Sequence, residues 1–70
     1  MESKIERGKR LKEERLELKM TCEDMGLFLD CSRQTVSRIE QGKGTKMDFK
    51  FYEMIIDNLK NMHKNIKNGE

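Results

Sequence analysis

Thr21–Gly42 reads TCEDMGLFLDCSRQTVSRIEQG, and this stretch decides the fold. Thr21 followed three residues later by Asp24 is a capping-box pattern, so a helix starts there. Met25, Phe28 and Leu29 supply its apolar stripe, and the pattern stops near Asp30. Ser32 is a second N-cap candidate. It opens a helix over Arg33–Gln41 whose inward residues are Val36 and Ile39, and Gly42 suits the position just past its end. Between these helices the chain must turn sharply with almost no loop. A turn of that kind needs a residue that tolerates positive φ, and Asp30 is one of the few non-glycine types that does. Gly26, four residues earlier, lets the two helices approach closely.

The outer face of the second of these helices carries Arg33, Gln34, Ser37 and Arg38. A short helix with such a face fits the major groove of B-DNA. Arginine pairs with guanine O6 and N7 there, and glutamine with adenine N6 and N7. Local charge agrees. Residues 21–32 hold three acids and no base, whereas residues 33–46 hold Arg33, Arg38, Lys43 and Lys46 against the single acid Glu40. The net charge of the whole chain is only +2, so the distribution carries the signal.

The flanks read as helices too. Ile5, Leu11 and Leu18 share a stripe over Lys4–Lys19, with Gly8 and Arg15 on the same side. After a loop over Lys43–Met47, Asp48 is the candidate cap of a last helix over about 48–67. Tyr52, Ile55, Ile56 and Leu59 fall at the i, i+3, i+4, i+7 spacing of a buried face. Proline is absent, β-branched residues are sparse and no strict alternation appears. The expected fold is therefore all-α: one compact domain over 1–70 with four to five helices.

A chain of 70 residues, 34% hydrophobic and 40% charged, has room for one small core. A core of that size contributes about 3–5 kcal/mol, so self-association is expected to help. Phe49, Phe51 and Met54 exceed what one face of the last helix needs. With Leu59, Met62 and Ile66 they are read as a homodimer interface.

Other classes find little support. Cys22, Cys31 and His63 lack zinc-ligand spacing, and two cysteines make no disulfide framework. Residues 1–15 have no apolar signal core, and no apolar run nears the roughly 18 residues of a membrane span, so a cytoplasmic chain with reduced thiols is expected. No nucleophile–base pair or metal cluster is evident, and Gly42-Lys43-Gly44 is too short to cradle a phosphate as a P-loop does. No enzyme, cofactor, metal, small-molecule ligand or membrane partner is expected.

The small residue, tight turn and apolar pair of Thr21–Gly42 resemble the helix-turn-helix of the phage repressor and Cro family, the lambda-repressor-like or XRE-type domains. The resemblance covers about Ile5–Leu59. It extends to Arg15 and to Glu40 in Ile39-Glu40-Gln41-Gly42, which match a pair that forms a partly buried salt bridge in that family. By position it implies base contacts from Arg33, Gln34, Ser37 and Arg38. It implies phosphate contacts from Thr21, Ser32, Thr35, Lys43 and Lys46, aided by the N-terminus of the helix at Thr21. Cys22 replaces the glutamine that members commonly use to grip a phosphate, Asp30 replaces the usual turn glycine, and the loop after Gly42 lacks the arginine that some members send into the minor groove. The implied function is a sequence-specific transcriptional regulator on double-stranded DNA, a minimal repressor or Cro-like switch. It would bind a pseudo-palindromic operator as a homodimer. The alternative is a protein-interaction module, such as an antitoxin or accessory subunit, on the same scaffold.

Overall fold

The computed structural model describes residues 2–68, with side chains through Met62. Four helices follow one another: α1 (Lys4–Glu17), α2 (Cys22–Leu29), α3 (Arg33–Glu40) and α4 (Lys46–Asn68). His63 and Ile66, the latter expected at a dimer interface, have side chains outside the described residues.

Helix starts follow capping chemistry. Ser3 accepts from the Glu6 amide at 3.1 Å, and the Glu6 carboxylate accepts from the Ser3 amide, closing a capping box. Thr21 and Asp24 make the same box with both bonds at 3.0 Å. For α4 the cap is Thr45 rather than Asp48. Thr45 Oγ1 accepts from the Asp48 amide at 3.1 Å and Asp48 Oδ2 accepts from the Thr45 amide at 2.8 Å, so Asp48 is the third helical residue of a capping box. Helix ends are equally local. Past α1, Lys19 adopts φ 62, and its amide and that of Met20 donate back to Leu16 and Arg15. Past α3, Gly42 adopts φ 86, and its amide and that of Lys43 donate back to Ile39 and Arg38. Both ends are Schellman motifs, which satisfy the last carbonyls of a helix.

Leu11, Met25, Val36, Ile39, Phe49, Tyr52 and Ile56 form the core, with Leu18, Leu29, Cys31 and Ile55 packed against it. Two expectations need correction. Phe49 was expected at a dimer interface, but it is fully buried. Because α4 starts at Lys46, Phe49 shares an inward stripe with Tyr52 and Ile56. Phe28 was expected in the core, but it is 56% exposed. The inward face of α2 is instead Met25, Gly26 and the half-buried Leu29, which leaves Phe28 on the flank. Ile5, also expected inside, lies on the surface.

The core encloses one ion pair. Arg15 donates from Nε to Glu40 Oε2 at 2.7 Å and from Nη2 to Glu40 Oε1 at 3.3 Å. Its third nitrogen, Nη1, donates to the Met20 carbonyl at 2.6 Å. The Tyr52 hydroxyl donates a short hydrogen bond to Glu40 Oε2. Burial, then this bond, push the Tyr52 phenol far above its ordinary value, so it stays a donor. Helices α1, α3 and α4 thus meet at one carboxylate, and no buried side-chain N or O among the described residues lacks a partner. The approach of α1 to α3 is close enough to need Gly8, where a Cβ would lie 2.7 Å from the Ile39 carbonyl oxygen.

A second cluster ties α1 to α4 at the surface. Arg7 makes a two-point contact with Glu53, at 2.9 and 2.5 Å, and lies 5.2 Å from the Phe49 ring centre. Arg10 reaches Glu53 at 2.7 Å and Glu2 and Glu14 at 3.0 Å, and Lys60 reaches Glu14 at 2.6 Å.

Replacing Glu40 by alanine leaves the Arg15 charge buried and unpaired. Chemical denaturation is expected to show a loss of about 3–5 kcal/mol, enough to unfold a chain this small. An unchanged midpoint would contradict the structural role of the pair. Glu53 offers a pH test. Its hydrogen bonds to Arg7 and then Arg10 hold its carboxyl below the ordinary 4.5. Its contribution is therefore present above that value and is lost as pH falls through the depressed folded value. The Glu53→Gln variant is expected to show a shallower loss of stability below pH 4.5 than the parent. Superimposable acid limbs would contradict this.

Candidate nucleic-acid interface

Helices α2 and α3 are joined by three residues, and the geometry of that joint sets what α3 presents. Asp30 takes the left-handed conformation, φ 56 and ψ 48, and the Cys31 amide donates across the turn to the Gly26 carbonyl at 2.9 Å. A Cβ on Gly26 would lie 2.6 Å from the Cys31 carbonyl oxygen, so only glycine lets the chain double back here. Ser32 then caps α3, its Oγ accepting from the Thr35 amide at 3.3 Å and lying 3.1 Å from the Thr35 hydroxyl. Val36 and Ile39 point into the core, and the Glu40 pair holds the far end of the helix.

With that side fixed, Arg33, Gln34 and Arg38 are exposed and Ser37 is half-buried. The chain has five arginines. Arg7, Arg10 and Arg15, all on α1, are each bound to a carboxylate. The side chains of Arg33 and Arg38, both on α3, make no hydrogen bond or ion pair among the described residues; neither do those of Lys43 and Lys46. A guanidinium with no internal partner stays available to a ligand, and its fork suits base edges and phosphates.

The expected phosphate-contacting residues do not all come together. Thr35, Arg38 and Lys43 line one cleft, with Ile39, Gly44 and Thr45 as its walls and Asp48 at its edge. Lys46 opens α4 and Thr21 caps α2, and neither lines that cleft. Thr21, Ser32 and Thr35 all spend hydroxyl capacity on helix caps. Cys22 turns inward. Its Sγ lies 3.9 Å from Glu40 Oε1, and burial, then the Glu40 charge, push the thiol up. It reinforces the buried pair and is no phosphate ligand.

Sequence reasoning missed Gln41. This residue caps the C-terminus of α3 with helical angles, φ −84 and ψ 0, and is exposed beside the others. Its Nε2 donates to Ser37 Oγ at 3.2 Å. The signal was its four-residue spacing from Ser37 on the polar face.

A helix-turn-helix family model matches residues 11–49, from the middle of α1 to the first turn of α4. The chain belongs to the Cro/C1-type, or XRE, helix-turn-helix family. No curated protein and no solved structure matches it. As a Cro/C1-type domain it is a DNA-binding helix-turn-helix regulator. Among the described residues, no helix is long and apolar enough to cross a membrane.

The Gly26→Ala variant tests the joint. Overpacking against backbone is expected to cost about 1–3 kcal/mol in urea denaturation. A midpoint equal to the parent's would show that the turn can open without strain.

Proposed function

We propose that the chain is the DNA-binding domain of a repressor that occupies a pseudo-palindromic operator as a homodimer and blocks transcription by doing so. The observation that carries this reading is the unpaired polar face of α3, in a chain whose other arginines are all committed to carboxylates. Arg33 and Gln34 open the recognition helix and read base edges, with Ser37 and Arg38 one turn further along. Ser32, Thr35, Lys43 and Lys46 grip phosphate, and Thr21 does so from the start of α2.

The homodimer reading draws on the surface of α2 and α4. Leu27, Phe28, Phe51, Met54 and Met62 are exposed, and Phe28 stands between two apolar hollows. Leu59 lines one of them and Phe51 and Met54 the other. None of these residues lines the cleft of Thr35, Arg38 and Lys43, so a subunit contact there leaves that cleft uncovered. The same apolar face favours a second reading, in which another protein docks there and the domain serves as an antitoxin or accessory subunit.

In vitro selection from random duplexes at about 150 mM salt separates the two. The repressor reading expects an inverted repeat with half-sites about 34 Å apart. No enrichment would turn the interpretation to the protein partner. Two variants refine it. Lys43→Ala is expected to weaken binding to all sequences and to lower the salt slope by about one, whereas Arg38→Ala should relax preference at one base position. Equal weakening of every sequence by Arg38→Ala would assign Arg38 to phosphate instead. Sedimentation at about 50 µM, a level where partners of micromolar Kd associate, is expected to give a dimer; a monomer would remove the homodimer.

A further inference from the structure

We infer that Gln41 is a positioning residue for base recognition: it fixes the Ser37 hydroxyl as a hydrogen-bond donor toward the DNA, so that Ser37 selects a base presenting an acceptor. The inference rests on the reading of α3 as the recognition helix and adds a residue and a chemical sense to it.

Position comes first. At about 100° per residue, Gln41 lies about 40° from Ser37 and about 20° from Gln34 around α3. Val36, Ile39 and Glu40 occupy the opposite, buried side. Gln41 therefore sits near the middle of the face that meets DNA, one turn beyond Ser37. Its backbone is helical at φ −84 and ψ 0, so the face continues through it.

Chemistry follows. A serine hydroxyl has one proton to donate and two lone pairs that accept. The Gln41 amide donates into one lone pair of Ser37 Oγ at 3.2 Å. A helical serine commonly spends its own proton on the carbonyl four residues back. Ser37 makes no such bond, and its proton has no acceptor among the described residues. The proton is left for the ligand. Once DNA excludes water from this face, the amide–hydroxyl bond strengthens and the polarity of the hydroxyl is held. A hydroxyl held as donor matches guanine O6 or N7, adenine N7 or thymine O4. With one lone pair already filled by Gln41, it is a weaker match for the amino groups of cytosine N4 and adenine N6, so adenine, which sets N6 beside N7, matches less well than guanine or thymine.

Four chains test this by selection from random duplexes, with thermal melting run alongside: the parent, Ser37→Ala, Gln41→Ala and Gln41→Glu. Loss of preference in Ser37→Ala identifies the base position that Ser37 reads. There the parent is expected to favour guanine or thymine. Gln41→Ala is expected to lower that preference by about three- to tenfold, the worth of one neutral hydrogen bond, and to leave the other positions and the melting point unchanged. Gln41→Glu inverts the pair. Its carboxylate can only accept, so it takes the Ser37 proton and leaves lone pairs facing the DNA. The preference at that position should then move toward adenine or cytosine, judged between bases so that the added charge cancels. An undiminished preference in Gln41→Ala overturns the inference. So does uniform weakening of all sequences, which would make Gln41 a phosphate contact. No sequence preference in the parent would sink the base-reading interpretation itself. A parent that reads bases while the Gln41 variants change nothing sinks only this inference.

Discussion

The pairing of Arg15 with Glu40 is the constraint on which the rest of the molecule depends. Arg15 comes from α1 and Glu40 from the last turn of α3, and the Tyr52 hydroxyl brings α4 to the same carboxylate. Burying two charges contributes little net stability, because desolvation offsets most of their attraction. What the pair supplies is direction. A two-point guanidinium–carboxylate contact has one good geometry, and it fixes how α3 is turned about its own axis. Val36 and Ile39 then face the core, and Arg33, Gln34 and Arg38 stand exposed. Cys22 closes the same site from α2, a place where an inward thiol packs without demanding a hydrogen bond of its own.

Charge is divided along the same lines. The arginines of α1 are consumed inside the molecule: Arg7 and Arg10 by Glu53, Arg10 also by Glu2 and Glu14, and Arg15 by Glu40. Arg33 and Arg38 of α3 are not. A net charge of +2 conceals this partition. The exposed apolar residues Leu27, Phe28, Phe51 and Met54 lie on α2 and α4, and none of them lines the cleft that holds Arg38 and Lys43.

Local interactions were legible in the sequence, and distant ones mostly were not. Thr21 with Asp24, Ser32, Asp30 and Gly42 act within three or four residues, so their types alone announce helix ends and the turn. Thr45 with Asp48 has the same spacing as Thr21 with Asp24, and reading Asp48 as the cap overlooked that pattern. That offset also hid the inward stripe joining Phe49 to Tyr52. Phe28 was misplaced for another reason: the phase of α2 is set by how closely Gly26 meets the turn, a tertiary effect that hydrophobicity does not report. Contacts between residues far apart in the chain, such as Arg7 with Glu53 and Tyr52 with Glu40, have no spacing signature. The polar outer face of the helix over Arg33–Gln41 brought Arg33, Gln34, Ser37 and Arg38 into view from their types and spacing. It did not bring in Gln41, whose relevance lies in one hydrogen bond.

Amide chemical-shift mapping during titration with a selected duplex addresses the use of this face most directly. The largest changes should fall on Arg33–Arg38 and Lys43, with smaller ones at Thr21 and at the start of α4, and with the amides of α1 nearly still. Changes concentrated on α1, or on Phe51 to Leu59 of α4, would contradict DNA recognition by a face that the Arg15–Glu40 pair holds outward.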